Sequence, residues 1–207
     1  MSAESRGSVV TLGVFDGFHA GHRAVVGAAV EQARRLGVPS ILVTFDPHPL
    51  RVVASDRAPR LLMTLRERLA AAEAAGIDET VVLPFTPRFA NTTAERFVDD
   101  VLVEGLRARS VVVGANFRFG RGNSGDVTLL REAGSRSGFA VTAVDLVEVD
   151  GAVCSSTRVR KLLHDGDAAG ARELLTADPD HAQTLQYGTG TQLYRSSHAD
   201  AMMLAGR

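Results

Sequence analysis

The sequence predicts an α/β domain, a doubly wound parallel sheet with helices on both faces. Three observations carry this. Apolar, β-branched runs alternate with stretches of helical periodicity over about 150 residues. The runs are apolar throughout instead of alternating with polar residues, as strands buried on both faces are. Loops rich in Gly, Asn, Asp and Pro directly follow the runs, and in such sheets ligands bind beyond the carboxyl ends of the strands.

The elements follow in order. Ser8–Val14 reads as a buried strand, and Phe15-Asp16-Gly17-Phe18 breaks it with turn chemistry. Gly21–Leu36 carries Ala24, Val25, Ala28, Ala29, Ala33 and Leu36 at helical spacing, and Gly37 and Pro39 end that helix. Pro39–Phe45 is a second strand, which implies a right-handed parallel crossover. Asp46-Pro47-His48-Pro49 closes it stiffly, because each proline fixes its own φ and restricts its predecessor. Leu50–Met63 lacks periodicity and reads as a loop. Thr64-Leu-Arg-Glu67 is a capping box opening a helix to Ala75, stopped by Gly76. Thr80–Pro84 is a third strand, followed by a loop with two exposed phenylalanines, Phe85 and Phe89. Thr92-Thr-Ala-Glu95 reads as a second capping box, leading a helix through Leu106. Ser110–Gly114 is a fourth strand, Ala115–Gly125 a loop by composition, and Asp126 the cap of a helix to Ser137. Phe139–Val149 is a fifth strand region. Asp150-Gly151 turns a hairpin whose return strand is Ala152–Cys154. Ser155-Ser156-Thr157 opens a helix over Arg158–His164, and Asp167–Leu175 is one more. The domain is placed at 1–175. Residues 176–207 read as a loosely structured tail with a short helix at Ala199–Leu204. There is no internal repeat.

Composition narrows the function classes. The 207 residues are 45% hydrophobic and 23% charged with net charge -1, ordinary for a globular protein and without the basic field that nucleic acid attracts. One cysteine, Cys154, excludes an intrachain disulfide and a Cys-rich zinc site, and it reads as a small buried side chain. No apolar run reaches membrane-spanning length, and MSAESRGS lacks a signal-peptide core. The expected setting is cytoplasmic, with no membrane or nucleic-acid partner.

The chemistry concentrates in three loops and one helix start. Strand, glycine turn, helix aims free N–H groups and a positive dipole end at an anion, and His19 and His22 stand at that helix start with Gly21 between them. Two exposed turn histidines would be the bland reading, and no further residue is spaced to make them a metal site except His48. Ser155, Ser156 and Thr157 offer caps and outward N–H groups, and Arg158 adds a donor fork suited to phosphate; a plain N-cap with a surface arginine is the alternative. Asn116, Phe117 and Phe119 could meet a flat ring and its polar edge, or be core aromatics beside a loop. Asp126 could orient basic groups or serve only as a cap. Asp46 and His48 could line a pocket or form a rigid turn.

These motifs together resemble a known family. Gly13-Val-Phe15-Asp16-Gly17-Phe-His19-Ala-Gly21-His22 is similar to the HxGH signature of the nucleotidyltransferase superfamily, in the form found in the FMN adenylyltransferase module of bacterial FAD synthetases. Thr44-Phe-Asp46-Pro-His48-Pro49, Leu62-Met-Thr-Leu65, Val112-Val-Gly114-Ala-Asn116-Phe117-Arg-Phe119-Gly120 and Ser155-Ser156-Thr157-Arg158-Val-Arg160 resemble further segments of that family, from Val9 to Leu175. The resemblance implies a Rossmann-like fold and transfer of the adenylyl group of ATP to FMN, giving FAD and pyrophosphate, with Mg²⁺ bridging phosphates mostly through water. It implies catalytic roles for His19, His22 and Arg158. ATP contacts fall to Gly13, Phe15, Asp16, Gly17, His19, Gly21, His22, Gly114, Ser155, Ser156, Thr157 and Arg158, and flavin contacts to Asp46, His48, Asn116, Phe117, Phe119 and Asp126. No protein metal ligand is expected. Family members usually continue into a riboflavin kinase barrel. Residues 176–207 are too few for one and lack its motif, so adenylylation without riboflavin phosphorylation is the expectation. A modified flavin, another phosphate acceptor, or a non-catalytic flavin or nucleotide sensor are the competing readings.

Overall fold

A computed structural model describes residues 7–176 of the protein. Residues 177–207, with the short helix expected at Ala199–Leu204, lie outside the described residues, as do the first six. Five parallel strands form the sheet: β1 (Ser8–Leu12), β2 (Ser40–Asp46), β3 (Glu79–Pro84), β4 (Ala108–Gly114) and β5 (Ala140–Val144), in the order β3-β2-β1-β4-β5. The chain winds outward from β1 through β2 to β3, then crosses back to β4. The topological switch therefore lies between β1 and β4, where a crevice opens at the strand ends.

Helices cover both faces, as the unbroken apolar runs require. Val9, Leu42 and Val112 pack against α1 (Ala20–Leu36) and α3 (Leu65–Ala74) through Val25, Val26, Ala29, Val30 and Ala72. Val10, Leu12, Val43, Val111 and Val113 face the other layer. That layer is α5 (Ala94–Phe97), its wider i→i+5 continuation Val98–Gly105, and α6 (Val127–Ser137). A hairpin of β6 (Glu148–Val149) and β7 (Ala152–Val153) leads to α7 (Ser156–His164) and α8 (Ala168–Thr176). Asp150 and Gly151 take the positive φ that this turn needs.

Four local expectations change. Leu50–Met63 is not a plain loop: α2 (Pro49–Val53) starts it because Pro49 suits the first helical turn and His48 Nδ1 accepts from Leu50 N at 3.1 Å, and a 3₁₀ turn follows at Ser55–Arg57. The second capping box shifts by one residue. Thr93, not Thr92, caps α5 by accepting from Arg96 N, while Thr92 N donates to Phe89 O. Phe85 and Phe89 are not exposed; they pack with Phe45 and Phe97 in an edge-to-face aromatic chain around α4 (Pro87–Ala90). The fifth strand stops at Val144, which pairs with the last residue of β4, Gly114; the chain resumes strand geometry only at Glu148. The first capping box holds as read, with Thr64 and Glu67 each bonding the other's backbone N–H.

Candidate active site

The switch point carries a cleft of about 350 Å³, within the usual range for small-ligand sites. One wall comes from the end of β1 and the start of α1: Gly13, Phe15, His19, Gly21 and His22. The opposite wall is Gly114, Asn116 and Phe117 beyond β4, with Asp145, Leu146 and Val153 from the β5 end and hairpin. Cys154 through Thr157, leading into α7, close the third side.

The turn into α1 is tightly constrained. Phe15 (φ 54), Gly17 (φ 86) and Phe18 (φ 42) all occupy the left-handed region, which costs free energy for the two phenylalanines and collects at functional sites. A Cβ at Gly17 would also lie 2.7 Å from the tip of the Leu62 side chain, which would have to move. The Phe15 and Phe18 rings repay the strain by burial beside Val26, Val30 and Leu42.

His19 is the cap of α1. Its Nδ1 accepts from His22 N at 3.4 Å, which assigns the proton of the neutral ring to Nε2. The His19 and His22 rings stack with centroids 3.7 Å apart, and Phe15 meets His22 edge-on. Burial, with Arg23 nearby, lowers the His19 pKa to about 4. Burial and the adjacent His19 hold His22 well below the ordinary imidazole value. Both are therefore neutral donors near pH 7. His22 Nδ1 is buried without a hydrogen-bond partner.

The start of α7 meets this turn directly. Ser155 caps α7 by accepting from Arg158 N at 3.2 Å. Ser156 Oγ donates to the Asp16 carbonyl at 2.8 Å. A Cβ on Gly21 would stand 3.5 Å from the Cys154 carbonyl. The two helix N-termini are thus neighbours across one cleft. Thr157 is exposed on its wall. Cys154 is buried, its thiol against the Leu174 carbonyl.

The remaining candidate residues divide. Asp16 does not line the cleft. Its buried carboxylate accepts from Leu62 N and Met63 N at 2.9 Å each and pairs with Arg160, fastening the turn to α7 and to the 62–63 segment. Arg158 donates through Nη1 to the Val149 and Ala152 carbonyls, so its guanidinium lies on the hairpin and not on the cleft wall. Phe119 is a core residue packed on Phe97 and Phe117. Asp126 caps α6 at Leu129 N and pairs with Arg118 at 3.5 Å; the N–H bond holds its carboxyl below the usual range. Asp46, the last residue of β2, and His48 just beyond it lie outside the cleft lining; burial lowers the His48 pKa.

Two arginines matter here to which the sequence reading gives no role, Arg160 entering it only as the end of a motif. Arg160 is one helical turn from Ser156, so both address Asp16 from one face of α7. Arg68 sits one turn before the fully buried Ala72, an inward position for a charged side chain.

The family model described as FAD synthetase matches residues 1–158. The chain belongs to the FAD synthetase family. The bifunctional riboflavin kinase/FMN adenylyltransferase of Escherichia coli (strain K12) is 41% identical over 173 residues, 84% of this chain and 55% of the relative. The FAD synthetase of Listeria monocytogenes is 35% identical over 175 residues, 83% of this chain and 70% of the relative. A solved structure described as a macrolide-efflux protein from Streptococcus pneumoniae superposes with a TM-score of 0.72 at 28% identity, covering 83% of this chain and 55% of that one. This FAD synthetase family chain thus spans about half (55%) of the E. coli relative. Among the described residues no helix is long and apolar enough to cross a membrane.

Proposed function

We propose that the protein transfers the adenylyl group of ATP to the phosphate of FMN, giving FAD and pyrophosphate. The observation that carries this is the meeting of two N-capped helix starts, α1 and α7, across one cleft. A triphosphate needs several converging N–H and hydroxyl donors, and two such termini supply them.

An FMN phosphate oxygen attacks the α-phosphorus of ATP. The new O–P bond forms as the bridging bond to the β-phosphate breaks, and pyrophosphate leaves with that electron pair. The nucleophile is already anionic, so no strong base is needed and the rate rests on alignment and charge stabilisation. In this reading His19 donates from Nε2, the nitrogen its capping bond leaves protonated. His22, with a buried polar atom unmet by the protein, stands nearest the reacting phosphate. Gly13, Phe15 and Gly21 shape the backbone approach, and Gly17 supplies the turn. Ser155, Thr157 and the α7 N–H groups, that of Ser156 among them, hold the β- and γ-phosphates. Arg158 joins them by leaving the hairpin carbonyls, while Asp16 serves as the fastener. Gly114, Asn116 and Phe117 form the far wall, backed by Phe119 and Asp126. Asp46 and His48 flank the acceptor side.

The residues fit Mg²⁺ carried on the phosphates. Among the described residues no group of three His, Cys, Asp or Glu side chains could cage a metal, and Asp145 is the carboxylate on the cleft wall. A phosphate-borne magnesium ion held through water needs no more; when bound it supplies charge neutralisation on the triphosphate.

Incubation of the protein with FMN, ATP and Mg²⁺, with products identified by mass, tests the proposal. FAD and pyrophosphate in equal amounts are expected, and riboflavin in place of FMN gives no adenylylated product. Absence of FAD, or equal adenylylation of riboflavin, refutes it.

A further inference from the structure

Beyond the cleft, the structure holds a buried cation at the fork where the two site-bearing strands part. The β1–β2 ladder ends at Gly13, whose N–H donates to the Val43 carbonyl at 3.1 Å. From there β1 turns away toward Phe15, while β2 keeps its pairing with β3 through Phe45 and Asp46. Carbonyls on both sides of the fork lose their strand partners. Arg68 of α3 meets them. Its Nη1 donates to the Val14 carbonyl at 2.9 Å, to Thr44 Oγ1 at 3.0 Å and to the Phe45 carbonyl at 3.3 Å. Thr44 Oγ1 donates in turn to the Val14 carbonyl at 3.1 Å. Nη2 lies 3.8 Å from the Asp46 carboxylate, and the Arg68 side chain is 2% exposed.

Packing alone does not call for this residue. Burying a guanidinium costs desolvation that an apolar side chain of similar volume avoids, and Arg68 Nε is left without a partner. What the guanidinium adds is geometry: one buried nitrogen, Nη1, bonded to both diverging strand ends fixes their separation, while Nη2 faces Asp46. One strand end leads to His19 and His22, the other to Asp46 and His48.

We propose that Arg68 is a positioning residue for the transfer, setting the spacing between the turn that carries the histidines and the loop on the acceptor side. This rests on the adenylyl-transfer reading above. Arg68 touches neither substrate; it acts through the Val14 and Phe45 backbones. In-line transfer is sensitive to misplacement of ångström size, whereas binding of each substrate alone is less so.

The test is Arg68→Lys, whose ammonium ends one bond short of the Nη1 position and leaves nothing in place of Nη2 beside Asp46. It is paired with Thr44→Val, which deletes the shared hydroxyl and keeps the guanidinium. FAD formation is read at saturating substrates. Binding of FMN, and of an ATP analogue with a non-reacting α,β bridge, is read at equilibrium. The expected result for Arg68→Lys is a kcat lower by about tenfold or more with both affinities within about threefold of wild type. Thr44→Val shows the same split at smaller size, and decides the question if Arg68→Lys does not fold. A kcat near wild type, or a kcat that falls only in step with affinity and thermal stability, overturns the proposal. Wild-type protein is the control that separates the two readings: if it makes FAD, these outcomes bear on Arg68 alone; if it makes none, the function reading falls first.

Discussion

The two helix starts that meet at the cleft are built differently. The start of α1 is fixed from within: His19 caps it, three left-handed residues lead into it, and its buried face lies on the sheet. The start of α7 is fixed from outside. It hangs on a two-stranded hairpin and is tied to the rest by Ser156 and Arg160, both bonded to Asp16. The first presents side chains already in place on the wall. The second presents hydroxyls, while its arginines are occupied elsewhere. One wall of the cleft is thus set by packing on the sheet and the other by a few polar bonds.

Mutations can break this contrast or sharpen it. The largest effect is expected at the α1 wall. His22→Ala should lower the rate of FAD formation on the order of 10²-fold with a small change in melting temperature. A variant within a few-fold of wild type would remove His22 from the chemistry.

Asp16→Asn comes next. It keeps an oxygen for Leu62 and Met63 but leaves Arg160 half-buried without its counter-charge. Unfolding in urea should show a loss of about 3 kcal/mol, and the KM for ATP should rise as α7 loses its anchor. Unchanged stability and KM would mean that the α7 start holds itself.

The imidazoles give a pH signature of the α1 wall. The unfolded His19 titrates near the ordinary value of 6.5, the folded one at about 4, and His22 shifts in the same direction. Below the ordinary value the unfolded chain therefore binds protons that the folded chain refuses. Stability falls as pH drops through that window and recovers as pH rises. His19→Asn keeps a capping oxygen and should flatten this slope in denaturant titrations between those pH values. An unaltered slope would place the titration elsewhere.

The smallest effect concerns a helix start outside the cleft lining. Thr93→Ala should cost about 1 kcal/mol and Thr92→Ala close to none, because only Thr93 caps α5. The reverse order would restore the capping box as the sequence spells it.

That last pair shows where the sequence stops. Periodicity and turn residues predict the five parallel strands, α1, α3, α6 and α7, since each depends on local pattern and burial of one face. The cap between two adjacent threonines depends instead on where the preceding α4 turn ends. The site motifs show the same boundary. Asn116 and Phe117 reach the cleft while Phe119, two residues on, belongs to the core, because the loop curls back through a bridge between Phe119 and Gly125. Asp16 is a motif residue that holds the turn from behind. Arg68 and Arg160 act across elements distant in the chain, and no local spacing reports that. Ala72 shows itself buried only in the fold, so the inward position of Arg68 one turn before it is a structural finding.

The central claim is that one nucleotide spans both helix starts. Soaking crystals of the protein with an α,β-methylene ATP analogue and Mg²⁺ tests it directly. Triphosphate density running from His22 to Ser156 and Thr157 is expected. An analogue bound along only one helix start, or away from the cleft, would contradict it.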